Sequence, residues 1–199
     1  MAKVIDYYFT PMSPWAYLGS QRFAAMAEKF GATVKVKPVD YGRIFPVSGG
    51  LPLPKRAPQR QAYRLVELKR WRDHLGVPLN VQPKHHPGPG EKPSFLIIAA
   101  DRDRFDAMRL SHALMTAVWS QDRDLNDDAT LIAIADECGM PGDRLLAASR
   151  DEKIKATFDA YTQEAIDRQV FGAPTYVVDG ELFWGQDRLD FLERKLARA

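Results

Sequence analysis

The first feature of this chain able to do chemistry is a hydroxyl at the start of a helix. Ser13 opens the run Ser13-Pro14-Trp15-Ala16, directly after the β-like segment Val4-Ile5-Asp6-Tyr7-Tyr8-Phe9. Pro14 and the apolar-rich stretch over 15–30 predict a helix that begins beside Ser13. A cysteine in such a place, at the positive end of the helix, would be a redox centre. A hydroxyl cannot form a disulfide, but it can donate a hydrogen bond to a thiolate carried by another molecule. The plainer role for the same residue is to cap the helix. A second segment, Phe171-Gly172-Ala173-Pro174-Thr175, leads into a strand-like run that ends at Asp179-Gly180. A cis Ala173–Pro174 bond would turn the Ala173 amide and carbonyl outward, open to an extended peptide that pairs as an added strand. Together the two segments suggest a protein that borrows its sulfur from a bound thiol.

Other reactive side chains point less sharply. The lone cysteine, Cys138, excludes an internal disulfide and a CxxC centre, and its apolar surroundings predict a buried structural thiol. His85-His86 lacks an acidic or cysteine partner at ligand spacing, so no metal is expected. No Ser-His-Asp triad is evident, because a serine beside Pro and Trp is not a nucleophile elbow. Asp187 either caps the last helix or accepts an amino group, and Arg188 pairs with it or faces solvent. Trp15 and Phe171 flank the two site segments and are candidates to line an aromatic substrate pocket.

The elements that must position these residues follow from periodicity. Val4–Phe9 is a strand, 15–30 a helix closed by Gly31, and 33–39 a second strand of alternating apolar and charged residues. The Pro- and Gly-rich stretch 41–58 reads as irregular, a loop long enough to be a lid or binding loop. Helical patterns follow from Gln59 to Gly76, then over 95–100, 106–121, 128–138, 143–149 and 151–168. Thr175–Val178, the Asp-Gly turn and Glu181–Trp184 make a hairpin, and 190–198 is a closing helix. The order is βαβ, a block of helices, then ββα. A βαβ unit needs further sheet partners, and the terminal ββα supplies them if the helical block is an insertion. The expected fold is therefore an α/β, thioredoxin-like sheet over 1–45 and 166–199, with an all-helical domain inserted over 46–165.

The chain has 199 residues, 45% of them hydrophobic and 27% charged, with net charge +2. That balance suits one globular domain with an insertion and argues against a nucleic-acid partner. No apolar window is long enough for a membrane helix, and the N-terminus turns acidic too early for a signal peptide. A cytoplasmic protein is expected. The basic cluster Lys55, Arg56, Arg60, Arg64, Lys69, Arg70 and Arg72, interrupted by Glu67 and Asp73, reads as a solvated helix face.

Four runs carry a family resemblance: Ser13-Pro14-Trp15-Ala16-Tyr17, Arg60-Gln61-Ala62-Tyr63, Phe171-Gly172-Ala173-Pro174-Thr175 and Phe183-Trp184-Gly185-Gln186-Asp187-Arg188. At this spacing, over nearly the whole length, the chain resembles the 2-hydroxychromene-2-carboxylate isomerases. These belong with the kappa-class glutathione transferases in the DsbA-like branch of the thioredoxin superfamily. The resemblance implies bound glutathione. It matches Ser13 to the serine that faces the sulfur, and Ala173 before Pro174 to the backbone that pairs with the cysteinyl unit. Gln186 and Asp187 match the contacts to the γ-glutamyl end, with Trp184, Gly185 and Arg188 in the same run. Arg60 falls where relatives carry Lys near the glycine carboxylate. Two departures touch the acceptor side. Gly49-Gly50 stands where an Asn is common, and Ser94-Phe95 where an Asn-Arg pair is often seen.

The implied activity is a glutathione-dependent cis–trans isomerisation in an aromatic 2-oxo acid system, 2-hydroxychromene-2-carboxylate to trans-o-hydroxybenzylidenepyruvate. Such a substrate needs a carboxylate clamp, and Arg43, Lys55, Arg56 and Arg60 are the candidates. The competing readings are a kappa-like transferase that conjugates electrophiles irreversibly, and a non-enzymatic module that binds a thiol peptide. The partner is a small aromatic molecule, with no nucleic acid or membrane, bound by a monomer or a homodimer.

Overall fold

A computed structural model describes residues 3–198. Residues 1, 2 and 199, which include the outer bounds of the expected domain division and the first two positions of the N-terminal reading, lie outside it. Strand β1 (Val4–Phe9) pairs in parallel with β2 (Thr33–Pro38), in register from Val4↔Thr33 to Phe9↔Pro38. Parallel neighbours need a crossover, and helix α1 (Pro14–Lys29) supplies it. Late in the chain β3 (Thr175–Val178) returns antiparallel to β1, with Tyr8 opposite Thr175. Strand β4 (Glu181–Trp184) pairs with β3 and gives the order β2-β1-β3-β4. The hairpin turn is the expected Asp179-Gly180, both at positive φ (51° and 80°).

Between β2 and β3 the chain is helical: α2 (Tyr41–Ser48), a 3-10 turn (Leu53–Lys55), α3 (Pro58–Leu75), α4 (Glu91–Arg102), α5 (Ala107–Trp119), α6 (Asp128–Glu137), α7 (Gly142–Ser149) and α8 (Glu152–Asp167). Helix α9 (Leu189–Ala197) closes the fold. This is the thioredoxin-like βαβ…ββα sheet with helices between its halves. Among the described residues no helix is long and apolar enough to cross a membrane.

One expectation fails in this block. The stretch 41–58 is not wholly irregular, because its first eight residues form α2. Pro46 lies inside α2 and removes one backbone bond, a cost of about 3 kcal/mol. Local gains offset it: Asp40 caps the helix by accepting from the Gly42 N–H at 2.7 Å, and Tyr41 and Ile44 are buried beneath it. Gly49, at φ 75°, then ends the helix three residues after the proline. Helix α4 is longer than the expected 95–100. Its first turn tolerates Pro93, and Ser94 donates its hydroxyl to the Gly90 carbonyl at 2.6 Å.

The alternation of β1 decides which core each side chain joins. Tyr7 and Phe9 stack on one face with Phe23 of α1 and Tyr176 of β3, inside a cluster that continues into α4, α5, α6 and α7. Tyr8 points the other way and packs with Tyr41, Ile44, Ala165 and Val177. Beneath that face the Lys37 ammonium lies 2.8 Å from both Asp6 and Glu164, and Arg168 reaches Asp6 at 2.8 Å. This network ties the C-terminal end of α8 to β1 and β2, and so fixes where the 171–174 segment begins.

Candidate functional site

Strand register brings four connections to one end of the sheet. β1 runs toward Thr10 and Ser13, and β2 runs parallel to it toward Asp40. β3 runs the opposite way, so the residues before Thr175 lie at that same end, and so do those after Trp184, which pairs with Thr175. Hydrogen bonds join them: Val39 N–H to Phe9 C=O at 2.9 Å, Tyr41 OH to Gly172 C=O at 2.8 Å, and Gly185 N–H to Pro174 C=O at 2.9 Å.

Ser13 is the N-cap of α1. Its Oγ accepts from the Ala16 N–H at 3.2 Å, while its own N–H donates to Thr10 C=O at 3.0 Å. The side chain is buried, yet among the described residues its hydroxyl proton has no acceptor. The N–H of Trp15, one residue into the helix, is likewise unbonded among the described residues. The first turn of α1 carries no acidic residue, so its positive end is uncompensated. Capping uses one lone pair of the Ser13 oxygen and leaves a donor for an incoming anion. Both readings of the serine are therefore compatible at the same atom.

The opposing backbone is Ala173, whose peptide bond to Pro174 is cis. Neither the N–H nor the carbonyl of Ala173 hydrogen-bonds among the described residues. Beside it Phe171 and Trp184 pack together, with ring centroids 4.8 Å apart and planes tilted by 58°, and both residues are markedly exposed. Gly172 is required under this pair, because a Cβ there would meet the Trp184 Nε1 at 2.3 Å. Gln186 is buried, and Arg22 of α1 donates to both its side-chain and its backbone oxygen. Its side-chain carbonyl is thus engaged within the protein. Asp187 does not cap the last helix: α9 begins without a side-chain cap, and the Asp187 carboxylate instead pairs with Arg188 at 2.8 Å on the surface.

The other wall comes from the helical block. The Met12 side chain lies under Gly88 and Gly90, where an added Cβ would come within 3.4 Å and 3.3 Å of it. His86, from the same loop, packs its ring 4.6 Å from Trp119 and beside the Met12 backbone. Burial, with Arg64 nearby, pushes the His86 imidazole down to about 4, so it is neutral near pH 7. The Arg64 guanidinium lies 5.9 Å from the Trp119 ring centroid and is half-buried. This corrects the reading of the basic cluster as a solvated face. The cluster splits, with Arg64 turned inward while Lys69 and Arg70 remain in solvent.

The remaining candidates separate. Trp15 packs, partly buried, against the core. Arg60 is exposed on the first turn of α3. Arg43 pairs with Asp159 at 2.9 Å, tying α2 to α8. Cys138 is buried and its thiol is pushed up by desolvation. A Ser20–His112 contact of 2.7 Å exists on α1 and α5, but the other ring nitrogen of His112 faces Gln21 rather than a carboxylate. Sequence reasoning passed over Arg64 and His86 as functional residues. The one local signal was Arg60 and Arg64 four apart on a helix, two like charges facing the same way.

The profile of the DSBA-like thioredoxin domain matches residues 4–197. A 2-hydroxychromene-2-carboxylate isomerase from Sphingobium xenophagum is 28% identical over 197 residues, spanning 98% of this chain and 99% of that protein. Glutathione S-transferase kappa 1 from Homo sapiens is 24% identical over 218 residues, with 98% and 92% covered. A solved structure of 2-hydroxychromene-2-carboxylate isomerase superposes with a TM-score of 0.85 at 25% identity, covering 98% of this chain and 95% of the other.

Proposed function

The chain belongs to the DSBA-like thioredoxin domain family, and from that premise we propose a glutathione-dependent cis–trans isomerase that interconverts 2-hydroxychromene-2-carboxylate and trans-o-hydroxybenzylidenepyruvate. The full-length curated relatives support an isomerase. The observation that carries the glutathione dependence is Ser13. A capping serine with an uncommitted proton stands where a redox member of such a fold would need a cysteine. The unpaired Ala173 backbone on the facing segment fits an extended tripeptide.

Glutathione, when bound, supplies a thiolate able to add reversibly to a conjugated alkene, which becomes free to rotate before the thiolate leaves. The protein's part is to hold that sulfur ionised and in place. A free thiol titrates at about 8.5. A hydroxyl donor to an anion contributes ~1.5–3 kcal/mol in gross terms, and a helix N-terminus a further ~0.3–1 kcal/mol. At about 1.4 kcal/mol per unit, these lower the thiol by roughly one to three units, enough in the upper part of that range to leave it largely thiolate at neutral pH. Ser13 donates to the sulfur and Ala173 pairs with the cysteinyl backbone. Asp187 and the Gln186 N–H receive the γ-glutamyl end, beside Trp184, Gly185 and Arg188, and Arg60 meets the glycine carboxylate. Phe171 and Trp15 flank the aromatic ring of the acceptor. The division into a thioredoxin-like part and a helical insertion belongs to the same proposal, with acceptor choice assigned to the insertion. A free-thiol mechanism fits a reducing compartment, so the cytoplasm is its proposed location.

The test is turnover of the chromene with and without glutathione. Interconversion that stops without glutathione, and leaves glutathione unconsumed, is the expected result. Accumulation of a stable conjugate would identify a kappa-like transferase instead. No turnover at millimolar glutathione would overturn the assignment.

A further inference from the structure

The carboxylate of the acceptor needs a cation, and the structure holds one that the reading of the helical block did not use. Arg64 projects from α3 over the face of Trp119. Among the described residues no carboxylate pairs with it. Its guanidinium is held below its usual range, to about 10, by burial and by Arg56, with no acidic group acting on it. Arg56 feels the same burial together with repulsion from Arg60. Its guanidinium donates to the Leu51 carbonyl at 2.8 Å and lies 5.9 Å from the Phe45 ring. Three arginines therefore crowd one edge of the site without a counter-charge among the described residues. A half-buried cation in that state is costly unless an anion joins it.

Two neighbours make this a built site. Trp119 is fully buried, and its indole N–H has no hydrogen-bond partner among the described residues. His86 packs on the same indole and touches the Met12 backbone, one residue before Ser13. A guanidinium held over an aromatic face by a cation–π contact still has its fork of N–H donors to offer to a planar carboxylate. The neutral imidazole adds no competing charge. His86, which feels the Arg64 charge and touches the Met12 backbone, links this cation to the segment that leads into Ser13.

We propose that Arg64, held over the Trp119 ring beside His86, binds the carboxylate of the acceptor substrate, whereas the exposed Arg60 serves the tripeptide. This rests on the isomerase reading for the identity of the acceptor, but the clamp itself requires only an aromatic acid. Arg64 thereby sets specificity for anionic over neutral conjugated substrates.

The test uses trans-cinnamate and its neutral methyl ester as probes, titrated into the glutathione-bound protein by calorimetry. Arg64→Leu is expected to weaken cinnamate about 10- to 100-fold, as for loss of a bidentate charged pair. The ester and glutathione itself should bind within about twofold of wild type. Arg64→Lys keeps the charge but loses the fork, and should fall between. If Arg64→Leu unfolds, the Lys and Gln variants carry the comparison. Glutathione affinity falling with cinnamate unchanged would overturn the proposal, as would cinnamate and its ester binding alike to wild type. A wild-type protein that loses cinnamate affinity on Arg64→Leu yet fails to isomerise the chromene would keep the clamp and remove the isomerase reading.

Discussion

The two walls of the site are made differently. The sheet-end wall, from Thr10–Ser13, Gly172–Pro174 and Gly185–Gln186, offers backbone groups, a hydroxyl and a helix terminus. The helical wall, from α3, the His86 loop and α5, offers side chains: an arginine, a neutral histidine and an indole. A backbone wall recognises any extended peptide of the right length, since each residue presents the same donor and acceptor. A side-chain wall recognises charge and shape, and changes with one substitution. Under the proposed function, a common thiol cofactor and a variable acceptor are met by opposite halves of the same end of the fold.

Removing the floor of the helical wall should have the largest effect. Trp119 is fully buried, and Trp119→Ala is expected to cost ~3–5 kcal/mol of unfolding free energy. Urea denaturation measures it, and a loss below about 1 kcal/mol would mean the helical wall does not rest on this ring. On the sheet-end wall, Ser13→Ala should slow chromene turnover by about 10- to 150-fold while glutathione affinity changes little. Full activity with an unshifted pH profile would remove Ser13 from the chemistry. Ser13→Cys is the sharper probe, since it should form a mixed disulfide with glutathione under oxidising conditions, detectable by mass.

Gly19→Ala probes the support behind the sheet-end wall. An added Cβ would sit 2.8 Å from the Gln186 Cβ and 3.3 Å from the Tyr176 hydroxyl. Overpacking of this kind costs about 1–3 kcal/mol. It should push the 185–188 turn outward and weaken glutathione more than cinnamate, both read by calorimetry. Equal losses for the two ligands would blur the division between the walls.

The last contrast is a pH dependence confined to the helical wall, absent at neutral pH and growing only as the solution turns acidic. His86 is lowered in the folded protein to about 4, from an unfolded value near 6.5. Above about 6.5 it is neutral in both states and its stabilising contribution is complete. As pH falls from 6.5 toward 4 the unfolded chain binds the proton first, and that stability is lost. A His86→Gln variant should therefore show a flatter melting temperature between pH 6.5 and 4 than wild type. Parallel curves would show that the imidazole does not titrate as its burial implies.

The sequence by itself determined the sheet and one wall of the site. Val4–Phe9, Thr175–Val178 and Glu181–Trp184 were legible residue for residue, because short aromatic and β-branched runs and an Asp-Gly turn are local signals. Once those strands exist, their register must bring Ser13, Ala173 and Gly185 to one end, whatever the helices do. One local signal misled. Prolines and glycines hid α2, whose cost is met by the Asp40 cap and burial that only packing supplies. Of the two roles open to Asp187, the helix cap is the one that fails, because its carboxylate is engaged by its neighbour Arg188. The helical wall was decided by tertiary structure alone. Whether Arg64 faces water or an indole depends on Trp119, in another helix, and on a loop that closes over Met12. The desolvation of a charge is a property of everything packed around it, and no window of sequence contains that sum.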